Sequence, residues 1–467
     1  MPAPLQHRWS LGHARTAPGP RGLPLLGNLF AFRRDVLGLL VASRERFGDV
    51  VRFRLGPLVI HLVAHPDAIR KVLHERAEQY DKSTRSAAKI QGMTGLGLLT
   101  ASGELWHRQR RLIQPGFRPA AVAGFVARMV EATAAMLGRW RQRAATGEPF
   151  DVASEMMRLT YTIVGRTLFS AEVSGDADAV EHAMAVLLAH TYRRLERIVD
   201  LPLAVPTPAN RRFRAARATV DQVVYRILAE RRQRPEETQP ADLLSILLRE
   251  RDEAGRGMDD RQLRNEAITL LLAGHETTAN ALTWTLFLLA RHPEAAERLC
   301  AEVDAVLAGR LPVAEDLRAL PFTERVLHEA MRLYPPIWIM ERRAARADEI
   351  GGHAIPAGST VVVSPWVTHR HPDFWEEPER FDPDRFSPER AAGRPHLAYI
   401  PFGAGPRYCV GGPFAMTEAL VITALVVRSF RLRLVAGQEV VPLPGITLRA
   451  RDGLRMTVEE RPDAPTR

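Results

Sequence analysis

Apolar residues recur at helical spacing over residues 119–143, 151–170, 177–195, 208–234, 259–291 and 294–307, which predicts helices there. Thr207-Pro208, Asp259-Asp260 and His292-Pro293 supply plausible helix starts. The segment 259–291 is unusually long. At 1.5 Å per residue it extends roughly 50 Å, about the width of a domain, so it is expected to run through the middle of the fold. Residues 50–65 predict a hairpin, because VVRFRL and LVIHLV flank the turn pair Gly56-Pro57. Residues 66–76 look like a helix with proline in its first turn. Residues 81–104 are rich in Gly, Ser and Thr without a clean period, and a loop is expected. Residues 350–364 have β character, 370–408 read as an ordered irregular stretch, 412–430 return to helix, and short strands follow from 431. There is no internal repeat and no low-complexity linker. The expected fold class is mainly α with small β-sheets: a proline-rich leader over 1–34, then one domain over 35–467.

Composition narrows the classes. With 467 residues and 46% apolar content, the chain can bury a large core. Net charge is +10, and Lys71, Lys82 and Lys89 are the only lysines, so arginine carries nearly all of it. Such a balance admits nucleic acid, an anionic membrane or an acidic protein as partner. No Lys/Arg block is interleaved with aromatics, so no nucleic-acid partner is expected. Cys300 and Cys409 form neither a disulfide framework nor a CxxC pair, which fits a reducing compartment. The apolar run at 23–32 is short and broken by Pro24, Gly27 and Asn28. A cytoplasmic protein without a transmembrane anchor is expected.

The strongest chemical signal is F-G-A-G-P-R-Y-C-V-G at 402–411. Its glycines permit a tight loop around Cys409, and Gly411, Gly412 and Pro413 open an apolar helix. A thiolate there faces unpaired backbone N–H groups and the positive end of a helix dipole. On haem iron such a thiolate pushes electron density onto the metal and favours O–O cleavage, and Arg407 is placed to pair with a haem propionate. A second element, Ala273-Gly274-His275-Glu276-Thr277-Thr278, interrupts the long helix. Gly274 costs about 1 kcal/mol relative to alanine there, so a packing or functional reason is expected. A threonine hydroxyl can divert a helix hydrogen bond. His275 reads as a helix residue facing the protein, not a metal ligand. Glu329 and Arg332 share a helix face at i,i+3, and Trp106 and Arg110 share one at i,i+4.

These residues resemble the cytochrome P450 family. The loop at 402–411 matches its haem-binding signature F-G-x-G-x-R-x-C-x-G at every fixed position. The likeness covers about residues 18 to 455, and the proline-rich stretch at 17–24 is similar to the segment that follows the anchor in membrane-bound members. With no anchor before it, a soluble bacterial-type member is implied. The resemblance implies a cytochrome P450 fold, with the long central helix over haem b and the loop bearing its ligand Cys409. Thr277 then orients dioxygen and Glu276 relays protons. Ala273 and Gly274 let the cofactor approach, and Phe402 and Gly411 shape the ligand loop. Trp106, Arg110, Arg342 and Arg407 seat the propionates, with Arg343 leaving the register at Arg342 open. Glu329 and Arg332 form a buried pair joined by an arginine from a later loop, for which Pro378-Glu379-Arg380-Phe381 offers Arg380.

The implied reaction inserts one oxygen atom from O2 into a small hydrophobic substrate. Its electrons come from NAD(P)H through separate proteins, an acidic ferredoxin or flavodoxin with its reductase docking on the positive surface. A monomer is expected. Pocket segments at 83–104, around 185–210, at 269–277 and at 337–340 carry Ile90, Met93, Leu96, Leu98, Leu270, Ile337, Trp338 and Ile339. A terpenoid is favoured, a fatty acid next. The alternatives are a haem-thiolate enzyme that rearranges or consumes peroxides, and a non-enzymatic haem sensor or electron carrier.

Overall fold

The computed structural model describes residues 14–170, 177–197 and 200–461. Residues 1–13 of the expected leader and 198–199 of the pocket stretch lie outside the described residues. The chain forms two compact units.

The first unit comprises Met1–Thr84, Ile339–Pro378 and Arg394–Tyr408. Its frame is a five-stranded sheet in the order Val50–Leu55, Leu58–Val63, Thr360–Val363, Met340–Ala344, Tyr80–Asp81. The expected hairpin forms the first two strands and turns at Gly56, whose φ of 59° suits glycine. Leu58–Val63 runs parallel to Thr360–Val363, with Ile60 opposite Thr360. Residues from the leader join in: Arg15–Thr16 pairs with His353–Ile355, and Arg52 N donates to Pro18 O at 2.7 Å. Pro66–Arg70 is α-helical and continues into a π-turn over Lys71–Glu75. The core gathers Val63, Ile69, Val72, Ile355, Val361 and Ile400.

The second unit comprises Arg85–Trp338, Glu379–Gly393 and Cys409–Arg467. Its axis is the helix Asp260–Arg291, 32 residues long and capped by Asp259, whose carboxylate accepts from Gln262 N. At 1.5 Å per residue it spans roughly 48 Å, as its periodicity predicts. It is buried on nearly every side, against Val152–Phe169, Pro321–Leu333 and Gly412–Ser429. The helix expected at 119–143 is interrupted, as Pro119–Ala123 and Val126–Thr146. Pro119–Thr146 and Gly412–Ser429 are apolar and long enough to cross a bilayer, yet 50% and 78% of these spans is buried within the protein.

Part of the loop expected at 81–104 is instead a helix, Arg85–Thr94. Its sequence, RSAAKIQGMT, has too few apolar residues for a period to show. Its order comes from tertiary contacts: Met93 is buried in the core, and Lys89 donates to Arg194 O on the helix Ala177–Glu196.

Candidate functional site

The middle of the central helix has two different faces. Ala273 is exposed and Thr277, one turn later, is half-buried on the same side. The Thr277 hydroxyl donates to Ala273 O at 2.6 Å, and Thr278 donates to Gly274 O at 3.0 Å. Gly274 has a packing reason, since a Cβ there would lie 3.1 Å from Val164 Cγ2. His275 faces the protein: its Nδ1 lies 2.7 Å from Leu271 O and its ring meets Tyr161 edge-on. Among the described residues no three His, Cys, Asp or Glu side chains gather to hold a metal ion.

Glu276 is buried, and its Oε1 accepts from the Thr447 hydroxyl at 2.6 Å and from the Tyr192 hydroxyl. Sequence reasoning missed both partners. They come from segments far apart in the chain, and no motif marks them. Burial and the Glu276 carboxylate together push the Tyr192 phenol well above its ordinary value.

Cys409 lies just before the helix Gly412–Ser429, whose N-cap is Gly411. Its side chain is exposed. The surrounding protein pushes the thiol up, while the Gly411 and Gly412 N–H groups and the Arg110 charge pull it down. Arg110 and Trp106 lie one turn apart on Gly103–Ile113, and Trp106 is buried. Arg110 is lowered by burial and held up by Cys409. The arrangement favours a thiolate as soon as something stabilises its charge.

The first unit holds a cluster of cations. Arg342 is buried, whereas Arg343 is exposed and its Nη2 pairs with Asp81 at 2.8 Å. The register left open in the sequence thus puts Arg342 inside. Burial depresses it to about 10. Arg407 is also depressed to about 10, by burial and then by Arg342. Lys82 falls to about 7 through burial and the like charges of Arg342 and Arg407. Sequence reasoning missed Lys82, whose only signal is its rarity in an arginine-rich chain. The loop before Cys409 follows from its glycines: Gly405 has φ 68°, and a Cβ there would lie 1.9 Å from Leu73 O. Phe402 is half-buried, its ring 6.3 Å from that of Tyr408.

Glu329 and Arg332 are both fully buried, and Arg332 donates to the carboxylate at 2.6 and 2.8 Å. Arg380 joins through its backbone carbonyl, which accepts from Arg332 at 3.1 Å, while its side chain is exposed. The third charged side chain is Arg385, 3.5 Å from Glu329 and buried. Of the apolar residues expected to line a pocket, Met93 is fully buried in the core and Leu270 packs against it. Ile90, Ile337 and Ile339 are half-buried and Leu96 is exposed. Trp338 is buried and donates through Nε1 to Gly445 O at 2.9 Å.

Comparison with known proteins gives a consistent result. Residues 17–451 match the model of the family described as Cytochrome P450. The chain is 38% identical to cyclooctatin synthase of Streptomyces melanosporofaciens, over 96% of each chain. It is 34% identical to pentalenene oxygenase of Streptomyces avermitilis, over 98% of this chain and 99% of the relative. Among solved structures, the heme domain of cytochrome P450DA superposes with a TM-score of 0.88 at 27% identity, covering 97% of this chain and 99% of that one.

Proposed function

The chain belongs to the cytochrome P450 family, and on that premise we propose that it is a cytoplasmic, haem-thiolate monooxygenase of terpenoids in which Cys409 would hold the iron. The observation that carries this reading is the place of Cys409 at the start of an apolar helix, where burial raises its thiol and two N–H groups and Arg110 offset part of that rise. The residues present fit haem. Lys82, Arg342 and Arg407 crowd like charges that carboxylates would relieve, and Arg110 with Trp106 suits a further carboxylate contact. Haem iron, when bound, supplies the activation of O2 and the transfer of one oxygen atom, the other leaving as water with two electrons and two protons.

The chain's own residues do the rest. Cys409 donates charge to the metal. Thr277 holds a hydroxyl proton on the open helix face, parked on Ala273 O at 2.6 Å and free to turn outward. Glu276 is the acid that takes protons up and passes them on. Apolar side chains such as Leu270 and Ile337 exclude water and suit a hydrocarbon-rich substrate. Terpenoid preference is supported by the relative named for pentalenene. Electrons come from NAD(P)H through an acidic ferredoxin or flavodoxin, for which the net charge of +10 is suited.

The test is the absorption spectrum of the reduced protein with carbon monoxide. Wild type is expected to show a strongly red-shifted Soret band that Cys409→Ala loses. A band indifferent to Cys409 removes the thiolate and the reading with it.

A further inference from the structure

We infer that Tyr192 and Thr447 form a polar latch on Glu276, which makes Tyr192 a positioning residue for the acid that handles protons; this rests on the role proposed above for Glu276. Both hydroxyls converge on one carboxylate oxygen, Oε1. The Tyr192 and Thr447 oxygens are themselves 3.2 Å apart, so the three groups close a triangle. Asn280, one turn along the central helix from Glu276, donates to Thr447 Oγ1 at 3.0 Å and braces it. Glu276, Asn280 and Thr447 are all buried.

The three corners come from three elements of the helical unit. Glu276 lies on the central helix, Tyr192 on Ala177–Glu196, and Thr447 on the turn before the strand Leu448–Ala450. The turn is shaped to receive the tyrosine. A Cβ on Gly445 would lie 2.3 Å from Tyr192 Cε1, so only glycine leaves room for the ring. Gly445 N donates to Thr447 O at 3.0 Å, and its carbonyl accepts from Trp338. The guanidinium of Arg449 lies 5.2 Å over the same ring.

Two donors on one oxygen do two things. They satisfy the buried carboxylate oxygen, and they fix its rotamer on the buried side of the helix, away from the open face that carries Thr277. Burial and the Glu276 carboxylate both raise the Tyr192 phenol, so it stays a donor to Oε1. The direction of Glu276 is therefore set from outside its own helix. A shift of Ala177–Glu196 that withdraws the phenol frees the carboxylate to turn.

The experiment compares haem-loaded wild type with Tyr192→Phe, Thr447→Val, Glu276→Gln and the Tyr192→Phe/Glu276→Gln double variant. The infrared absorption of the carboxyl group that Glu276→Gln abolishes reports the hydrogen bonding of Glu276. Peroxide released per NADPH oxidised, with a plant-type ferredoxin and its reductase as donors, reports proton handling. Tyr192→Phe and Thr447→Val are each expected to shift that band, because each removes one hydrogen bond to Oε1. Tyr192→Phe should change peroxide yield severalfold in the wild-type background and not at all in Glu276→Gln. An unshifted band in Tyr192→Phe and Thr447→Val overturns the latch. So does a peroxide effect of equal size with and without Glu276, which reduces Tyr192 to packing. A shifted band with wild-type peroxide yield in Glu276→Gln leaves the latch standing and removes the proton role from Glu276.

Discussion

Glu329 and Glu418 are both fully buried in the helical unit, yet the protein treats them in opposite ways. Glu329 accepts two N–H bonds from Arg332 and one from Asp382 N at 2.9 Å, and Arg385 stands beside it. Burial pushes its acid up, and these partners hold it back. Neither oxygen of Glu418 has a hydrogen-bond partner among the described residues. Thr278 is close enough to favour its charge, but commits its hydroxyl to Gly274 O at 3.0 Å. Burial therefore raises Glu418 well above its ordinary value. Burial raises both acids, and the partners decide how far.

The contrast is tested first at the paired carboxylate. Glu329→Gln leaves Arg332 as a buried charge without its counter-ion and should cost about 3–5 kcal/mol. Urea unfolding of the haem-loaded protein measures it, and a loss under about 1 kcal/mol would mean that the pair is not held as charges. The third member comes next. Arg385→Ala should cost about 2 kcal/mol, whereas Arg380→Ala, which keeps the accepting carbonyl, should stay within about 0.5 kcal/mol. Equal costs would break the assignment of Arg385.

The raised acids are tested through pH. Glu266 on the central helix behaves like Glu418: it is fully buried, accepts from Leu98 N at 2.9 Å on one oxygen, and is pushed up to about 8 by burial. A folded-state value above the unfolded one stabilises at low pH, and that contribution is lost as pH rises through about 8. Glu266→Gln removes the titration, so the variant should gain on wild type by up to about 1.4 kcal/mol per pH unit below that point. Parallel stability curves from pH 5 to 9 would show that Glu266 is ionised when folded.

Helices with a strong period could be read in advance, because burying one face imposes the period itself. Asp260–Arg291 matches its expectation to within a residue. Arg85–Thr94 could not be read, since contacts with another helix order it. The cysteine loop was legible because its glycines and helix start are local. The arginine partner of Glu329 was only half legible: Pro378-Glu379-Arg380-Phe381 is followed at once by Pro383-Asp384-Arg385-Phe386. The two copies have the same pattern, and only folding decides which arginine turns inward. Lys82, Tyr192 and Thr447 were invisible, because each acquires its role from neighbours distant in sequence.

Lys82 has a practical consequence as well. An ammonium held near neutrality is a free amine for much of the time at pH 7 to 8, and a free amine is a nucleophile. Lys82 is only half-buried and keeps part of its surface in solvent, and of the two other lysines, Lys71 and Lys89, the second is buried. An acylating reagent applied at neutral pH should therefore label Lys82 first in protein lacking a bound anion. A carboxylate seated among Lys82, Arg342 and Arg407 restores the proton and shields the nitrogen. On the proposal that a haem carboxylate sits there, the labelling of Lys82 would report cofactor occupancy by peptide mass, independent of colour or turnover.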